Sequence, residues 1–141
     1  MACPFFSPTH RAHDLAFPHP ARLPLGASWR GVCSAPNHEQ TVPTDSELES
    51  CNLGYAQSCC RLPSVRNADA VRFGVMKESP ETLFVQLVFE TAHLPAGEGL
   101  LQYDRRRNTW PVAHPEPRIQ RLAQVFLESY LERNSNSSFA E

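Results

Sequence analysis

Proline placement constrains this chain more than any other feature. Five prolines, at positions 4, 8, 18, 20 and 24, fall in the opening stretch, and eight of the thirteen lie within residues 1–68. A ring that fixes φ and removes the N–H donor has no place in a helix interior. The opening stretch is therefore expected to be extended or polyproline-like. Residues 1–68 also hold all five cysteines, and their five arginines balance five acids. Large apolar side chains are too few there for an independent core. We read residues 1–68 as an irregular Cys/Pro-rich segment of one domain, residues 1–141, that wraps the rest and needs a fastener.

Residues 69–134 carry the periodic pattern. Val71, Phe73 and Val75 alternate with Arg72, Gly74 and Met76, which is a strand period. Ser79 to Glu81 signal a turn, and a second alternating run places Leu83, Val85, Leu87 and Phe89 on one face. Pro95, Gly97 and Gly99 mark another turn before a third strand at 100–104. A fourth short strand is expected near Trp110 to Ala113. The stretch from Glu116 to Arg133 then places Ile119, Leu122, Ala123, Phe126 and Tyr130 at helical spacing, with Leu127 and Leu131 widening the stripe. Pro117 suits the first helical turn. Residues 135–141 read as a frayed tail. The predicted fold is α+β: a small antiparallel β-meander of three or four strands covered by a C-terminal amphipathic helix. The proline-rich segment is expected on the other face of the sheet.

One short helix is predicted in the first segment, over about residues 44–57. Thr44 and Glu47 have the spacing of a capping box, and Asp45, Glu47 and Glu49 favour the positive end of a helix. Cys51 then falls on the last turn or just past it.

The cysteines are Cys3, Cys33, Cys51, Cys59 and Cys60, spaced C-x29-C-x17-C-x7-CC. A secretory leader needs an uninterrupted apolar run, which Pro4, Pro8, His10, Arg11, His13 and Asp14 break. The expected compartment is cytoplasmic, where thiols stay reduced and serve as ligands, redox groups or core residues. All five lie in the segment that most needs fastening. Cys3 is followed by Pro4, a dipeptide found at the ends of iron–sulfur ligand runs. Gly54 and its small neighbours let the backbone bend close to a bound group.

Four thiolates hold either Zn²⁺ or an iron–sulfur cluster. Structural zinc sites draw on C-x2–4-C pairs, which this chain lacks. Scattered single cysteines fit a [4Fe–4S] cluster that staples distant segments, with zinc as the alternative. A bacterial ferredoxin run is excluded. The expected ligands are Cys3, Cys33, Cys51 and one of the adjacent Cys59 and Cys60, with His38 and His93 in reserve. His10, His13 and His19 rank below them. Two other readings stay open: ordinary buried thiols, and a thiol redox protein using Cys59 and Cys60.

Other chemistry finds little support. The sequence contains no nucleophile elbow, zincin motif, P-loop or dinucleotide fingerprint. Arg105, Arg106 and Arg107 read as a solvated turn, Asp69 and Glu90 as turn and surface residues, and Trp29 and Trp110 as core anchors. Tyr55 and Phe73 are candidates to shield a centre from water. A net charge of −2 argues against nucleic acid as partner, and no apolar run is long enough for a membrane span. The CN-x-GYA stretch (Cys51, Asn52, Gly54, Tyr55, Ala56) with scattered cysteines resembles small bacterial proteins of unassigned activity. The expectation is a small metal- or cluster-binding protein, with the balance leaning away from an enzyme and the question left open. The alternative is a cofactor-free module that binds a protein partner.

Overall fold

A computed structural model describes residues 2–13, 24–53, 59, 61, 63, 64, 66, 68–92 and 94–139, with side chains described as far as residue 134. Strands β3 (Ala70–Glu78), β4 (Thr82–Thr91) and β5 (Leu94–Asp104) form an antiparallel meander in chain order. Val71 lies opposite Phe89, Phe73 opposite Leu87 and Val75 opposite Val85, so the alternating apolar residues gather on one face. Helix α2 (Pro117–Phe139) covers that face. Phe73 stacks on Phe126 at 5.7 Å, and Leu83, Val85, Tyr103, Phe126 and Leu127 form one apolar cluster. The α+β meander and its covering helix agree with expectation.

Several boundaries differ. β5 begins at Leu94 rather than residue 100, so Pro95, Gly97 and Gly99 lie inside a strand. β5 pairs only with β4, and an edge strand tolerates a missing N–H. The turn preceding it is held by Asp69, whose carboxylate accepts the Ala92 N–H at 2.8 Å and pairs with Arg66 at 2.6 Å. Glu90, expected at the surface, is buried, with Arg72 at 3.6 Å. The fourth strand does not form. A single bridge, Asp104 with Thr109, closes the arginine turn instead, and Trp110 leaves the sheet to donate to Gln124 at 2.7 Å. In that turn Arg105, Arg106 and Arg107 pair with Glu78, Glu81 and Asp104. Residues 135–139, expected to fray, continue α2.

The first segment is more regular than its prolines imply. β1 (Phe6–Arg11) and β2 (Trp29–Cys33) pair antiparallel, and α1 (Asp45–Leu53) follows. Pro8 is tolerated because β1 has β2 as its sole strand partner and the register slips between Pro8 and His10. Pro8 faces Gly31 so closely that a Cβ on Gly31 would lie 2.1 Å from the Ser7 carbonyl oxygen. α1 ends at Leu53, short of the expected residue 57; residues 54–57 lie outside the described residues.

Among the described residues, this segment does not cover the open face of the sheet. It packs on the far side of α2 and against the β3 edge. Val125 and Ser129, off the predicted apolar stripe of α2, are 0% and 1% exposed. Gly26, at φ 77°, lies so close to the helix that a Cβ there would come 2.6 Å from Ser129 Cβ. Arg121 donates to the Pro8 carbonyl at 2.7 Å, and Arg11 pairs with Glu132. The helix is thus a middle layer, and the outer sheet face keeps Arg72, Leu100 and Gln102 exposed.

Candidate metal centre

Each described cysteine is delivered by a different piece of chain. Ala2 pairs with Val71 in both directions, at 2.7 and 2.9 Å, which extends the sheet by one residue past the β3 edge and fixes Cys3 next to it. The Cys3 N–H then donates to the Cys51 carbonyl at 3.0 Å, joining the chain start to the last turn of α1. Cys33 closes β2 opposite Phe6 of β1. Past Cys33 the chain turns sharply, with Asn37 at φ 68° and Gln40 at φ 66°, and the Cys33 backbone bonds to both Thr41 and Gln40. Cys59 is half-buried against the same apolar cluster that contains Cys3 and contacts Cys33 and Cys51.

Asn52 locks two of these pieces together. Its side-chain oxygen accepts the Trp29 N–H at 2.9 Å, and its amide donates to the carbonyls of Trp29 at 3.0 Å and Leu48 at 2.8 Å. It is fully buried, so these bonds substitute for water at groups that would otherwise stay unpaired. The helix end carrying Cys51 is thereby registered against the strand that carries Cys33.

The electrostatics reveal how close the thiols lie. Burial pushes the Cys3 thiol up to about 11; backbone N–H groups of Phe5 and Phe6 oppose the rise, and the sulfurs of Cys33 and Cys59 add to it. Cys51 is pushed up further, by burial first and then by Cys3, Cys59 and Cys33. Thiolates brought close in a dry place repel one another unless a cation stands among them, and a bound metal inverts that balance and releases the protons. The donor set suits a soft metal or a cluster. Among the described residues, which include these four cysteines, no group of three or more His, Cys, Asp or Glu side chains could hold a metal ion.

Two further donors aim at sulfur. The Ala35 N–H lies 3.4 Å from Cys33 Sγ, two residues after it, and the Phe5 N–H stands in the same relation to Cys3. Arg61 lies two residues past Cys59 and pairs with Glu47 at 2.8 Å, one helical turn before Cys51. Its guanidinium is held above its ordinary range by Glu47 first, with Cys59 and Cys33 adding to the effect.

Glu47 closes the predicted capping box. Its carboxylate accepts the Thr44 N–H at 2.9 Å, and the Thr44 hydroxyl accepts the Glu47 N–H at 3.3 Å. The Thr44 N–H, then Arg61, holds the Glu47 carboxyl below the usual carboxylate range. A depressed carboxylate favours the folded state at every pH above its unfolded value, and that contribution is lost as pH falls through the folded value. A ¹³C-detected acid titration is expected to place the Glu47 midpoint below the ordinary glutamate range, and Arg61→Gln is expected to move it back up. An unshifted Glu47 midpoint would contradict this local geometry.

Of the predicted site residues, Cys3, Cys33, Cys51 and Cys59 border one apolar cluster without forming a metal-holding group, while Cys60 and His93 lie outside the described residues, as do His19 and Tyr55. His38 sits in the turn after Cys33, where its N–H donates to the Ala35 carbonyl at 2.9 Å. His10 and His13 lie at the far end of β1. Phe73 packs on Phe126. Sequence reasoning missed Asn52, Arg61 and the N–H donors to sulfur. The available signal was a polar amide directly after Cys51 within a short helix. Among the described residues, no helix is long and apolar enough to cross a membrane. No known protein family matches this sequence, and comparisons with curated proteins and with solved structures find no match.

Proposed function

We propose that this is a small cytoplasmic protein organised around a cysteine-held centre, with a [4Fe–4S] cluster as the bound group and zinc as the alternative. Cys3, Cys33 and Cys51 are the ligands with one of the adjacent Cys59 and Cys60, since neighbouring residues rarely face one centre; Cys59 is the described member of that pair. One observation carries this reading. Cys3, Cys33, Cys51 and Cys59, from four separate parts of the chain, all border one apolar cluster. The separation of the four along the chain favours the cluster over zinc.

The test is anaerobic purification followed by a visible spectrum and by iron, sulfide and zinc analysis of one sample. Brown protein with about four iron and four sulfide per chain is the expected result. One zinc in a colourless sample would move the reading to the alternative. Protein without metal, after reconstitution with iron and sulfide has also failed, would overturn it. The reading as a cofactor-free interaction module would then take its place. It draws on the open sheet face, where Leu100 is 57% exposed, and on Val112, 76% exposed beyond β5.

A further inference from the structure

The sheet face turned away from α2 carries a pattern that matches itself. Strand register sets its residues in rows across β3, β4 and β5: Arg72, Val88 and Glu98 in one row, Gly74, Gln86 and Leu100 in the next. Leu100, on the β5 side, is an apolar knob that is 57% exposed. Gly74 lies at the same level on the β3 side, and a Cβ there would meet nothing within 4 Å. Charge is divided in the same way, with Arg72 on the β3 side and Glu98 on the β5 side. Neighbouring strands stand about 4.8 Å apart, so these two are about 10 Å apart within one chain, beyond pairing distance. Arg72 reaches Glu90 at 3.6 Å and keeps more than half of its side chain exposed. Glu98 accepts from the Gln86 amide at 3.4 Å and, among the described residues, has no cation partner. One row further on, the bulge opposite Phe84 leaves Met76 61% exposed. At that level on the β5 side a groove of about 250 Å³ runs between Phe84, Leu100 and Val112.

Two-fold packing of this face on a second copy of the chain uses each of these asymmetries. An axis lying in the interface along β4 brings the β3 side of one copy over the β5 side of the other. Arg72 then faces Glu98 of the second copy, Leu100 faces the open space at Gly74, and Met76 faces the groove beside Val112, each contact being made twice. Packed sheets lie about 10 Å apart, a gap that facing side chains fill. An axis across the strands through the Gly74 row sets Arg72 over Lys77 instead, since Lys77 lies one row past Gly74. Like charges placed face to face cost affinity, so charge selects the axis along β4.

We infer that this chain forms a two-fold dimer through the outer face of its sheet, with Arg72 and Glu98 paired across the interface and Leu100 seated at Gly74. The occupant of the face is a second copy because the face complements itself in both charge and shape. The inference is independent of the group that the cysteines bind.

The test is sedimentation velocity of the full chain over a wide concentration range, in reducing buffer so that no intermolecular disulfide forms. A reversible monomer–dimer equilibrium is expected. Arg72→Glu and Glu98→Arg each set like charges across the interface at both contacts, and each is expected to weaken the dimer by about 100-fold. An equimolar mixture of these two variants is expected to regain it, because opposite charges then face each other at both contacts. Repair of either fold cannot produce that rescue. Gly74→Val adds a side chain for which the single chain has room, so it is expected to keep the melt of the dilute protein and to lose the dimer to a clash with Leu100. Circular dichroism checks that each variant is folded, and Gly74→Val decides the matter if a charge-reversed chain is not. A native chain that stays monomeric at every concentration would overturn the inference and leave the face to a different protein. A dimer indifferent to Gly74→Val and to both charge reversals would also overturn it, and would move the contact to a strand edge.

Discussion

Cys33→Ser and Cys51→Ser are each expected to lose the bound metal and to melt about 10–15 °C below the native protein, the shift that a loss of about 4 kcal/mol gives in a chain this size. Serine fills the space of cysteine but is a poor ligand for a soft metal. On the proposed reading, the free energy of metal binding adds to folding free energy, and one missing ligand removes a large share of that addition. The reach of the damage follows from where the residues sit. Cys33 ends β2, Cys51 ends α1 and Cys3 lies beside the β3 edge, so a centre among them ties three elements that few backbone bonds connect. Cys60→Ser is expected to keep both metal and stability, which separates ligation from a general loss of thiols. Differential scanning calorimetry with metal analysis of the same fractions provides the check. Retained metal and an unchanged melt in both Cys33→Ser and Cys51→Ser would falsify the centre.

Replacing Asn52 is expected to be nearly as costly. Asn52→Leu preserves apolar volume but leaves the Trp29 N–H and carbonyl buried without partners. Each such group costs about 1–3 kcal/mol, so a loss of about 3 kcal/mol is expected from the pair. Asn52→Asp isolates one fault: it keeps the acceptor for the Trp29 N–H and sets a carboxylate against two carbonyls, a worse outcome than leucine. Urea unfolding is expected to show a lower midpoint with an unchanged slope. Metal affinity should weaken too, since Asn52 registers Cys51 against Cys33 while being no ligand. A change below about 1 kcal/mol in Asn52→Leu, within the range of one ordinary hydrogen bond, would mean that α1 and β2 are held by packing alone.

The parts of this fold that were legible in the sequence are those that bury one face. β3, β4 and α2 announce themselves by period because each presents a single apolar side to the core. β5 was only half legible, since Pro95, Gly97 and Gly99 read as a turn; an edge strand tolerates them, and whether a strand lies at an edge depends on topology. β1 and β2 were hidden for a similar reason, with Pro8 and Gly31 facing each other where strand formers were sought. The layer order was misread because Val125 and Ser129 are too few to suggest a second buried side on α2. At the site, the scatter of the thiols led to Cys3, Cys33, Cys51 and one of Cys59 and Cys60 as expected partners, and the four described thiols border one apolar cluster. Asn52 and Arg61 were not legible, because their roles depend on contacts to Trp29 and Glu47 that lie far away in the sequence.

The bonds of the first segment also determine when it can fold. Ala2 needs Val71, Cys3 needs Cys51, Pro8 needs Arg121 and Arg11 needs Glu132. The meander, by contrast, is built from neighbouring hairpins that close short loops, and short loops close early. On the ribosome β1 must therefore wait until α2 has emerged before Pro8 and Arg11 find their partners.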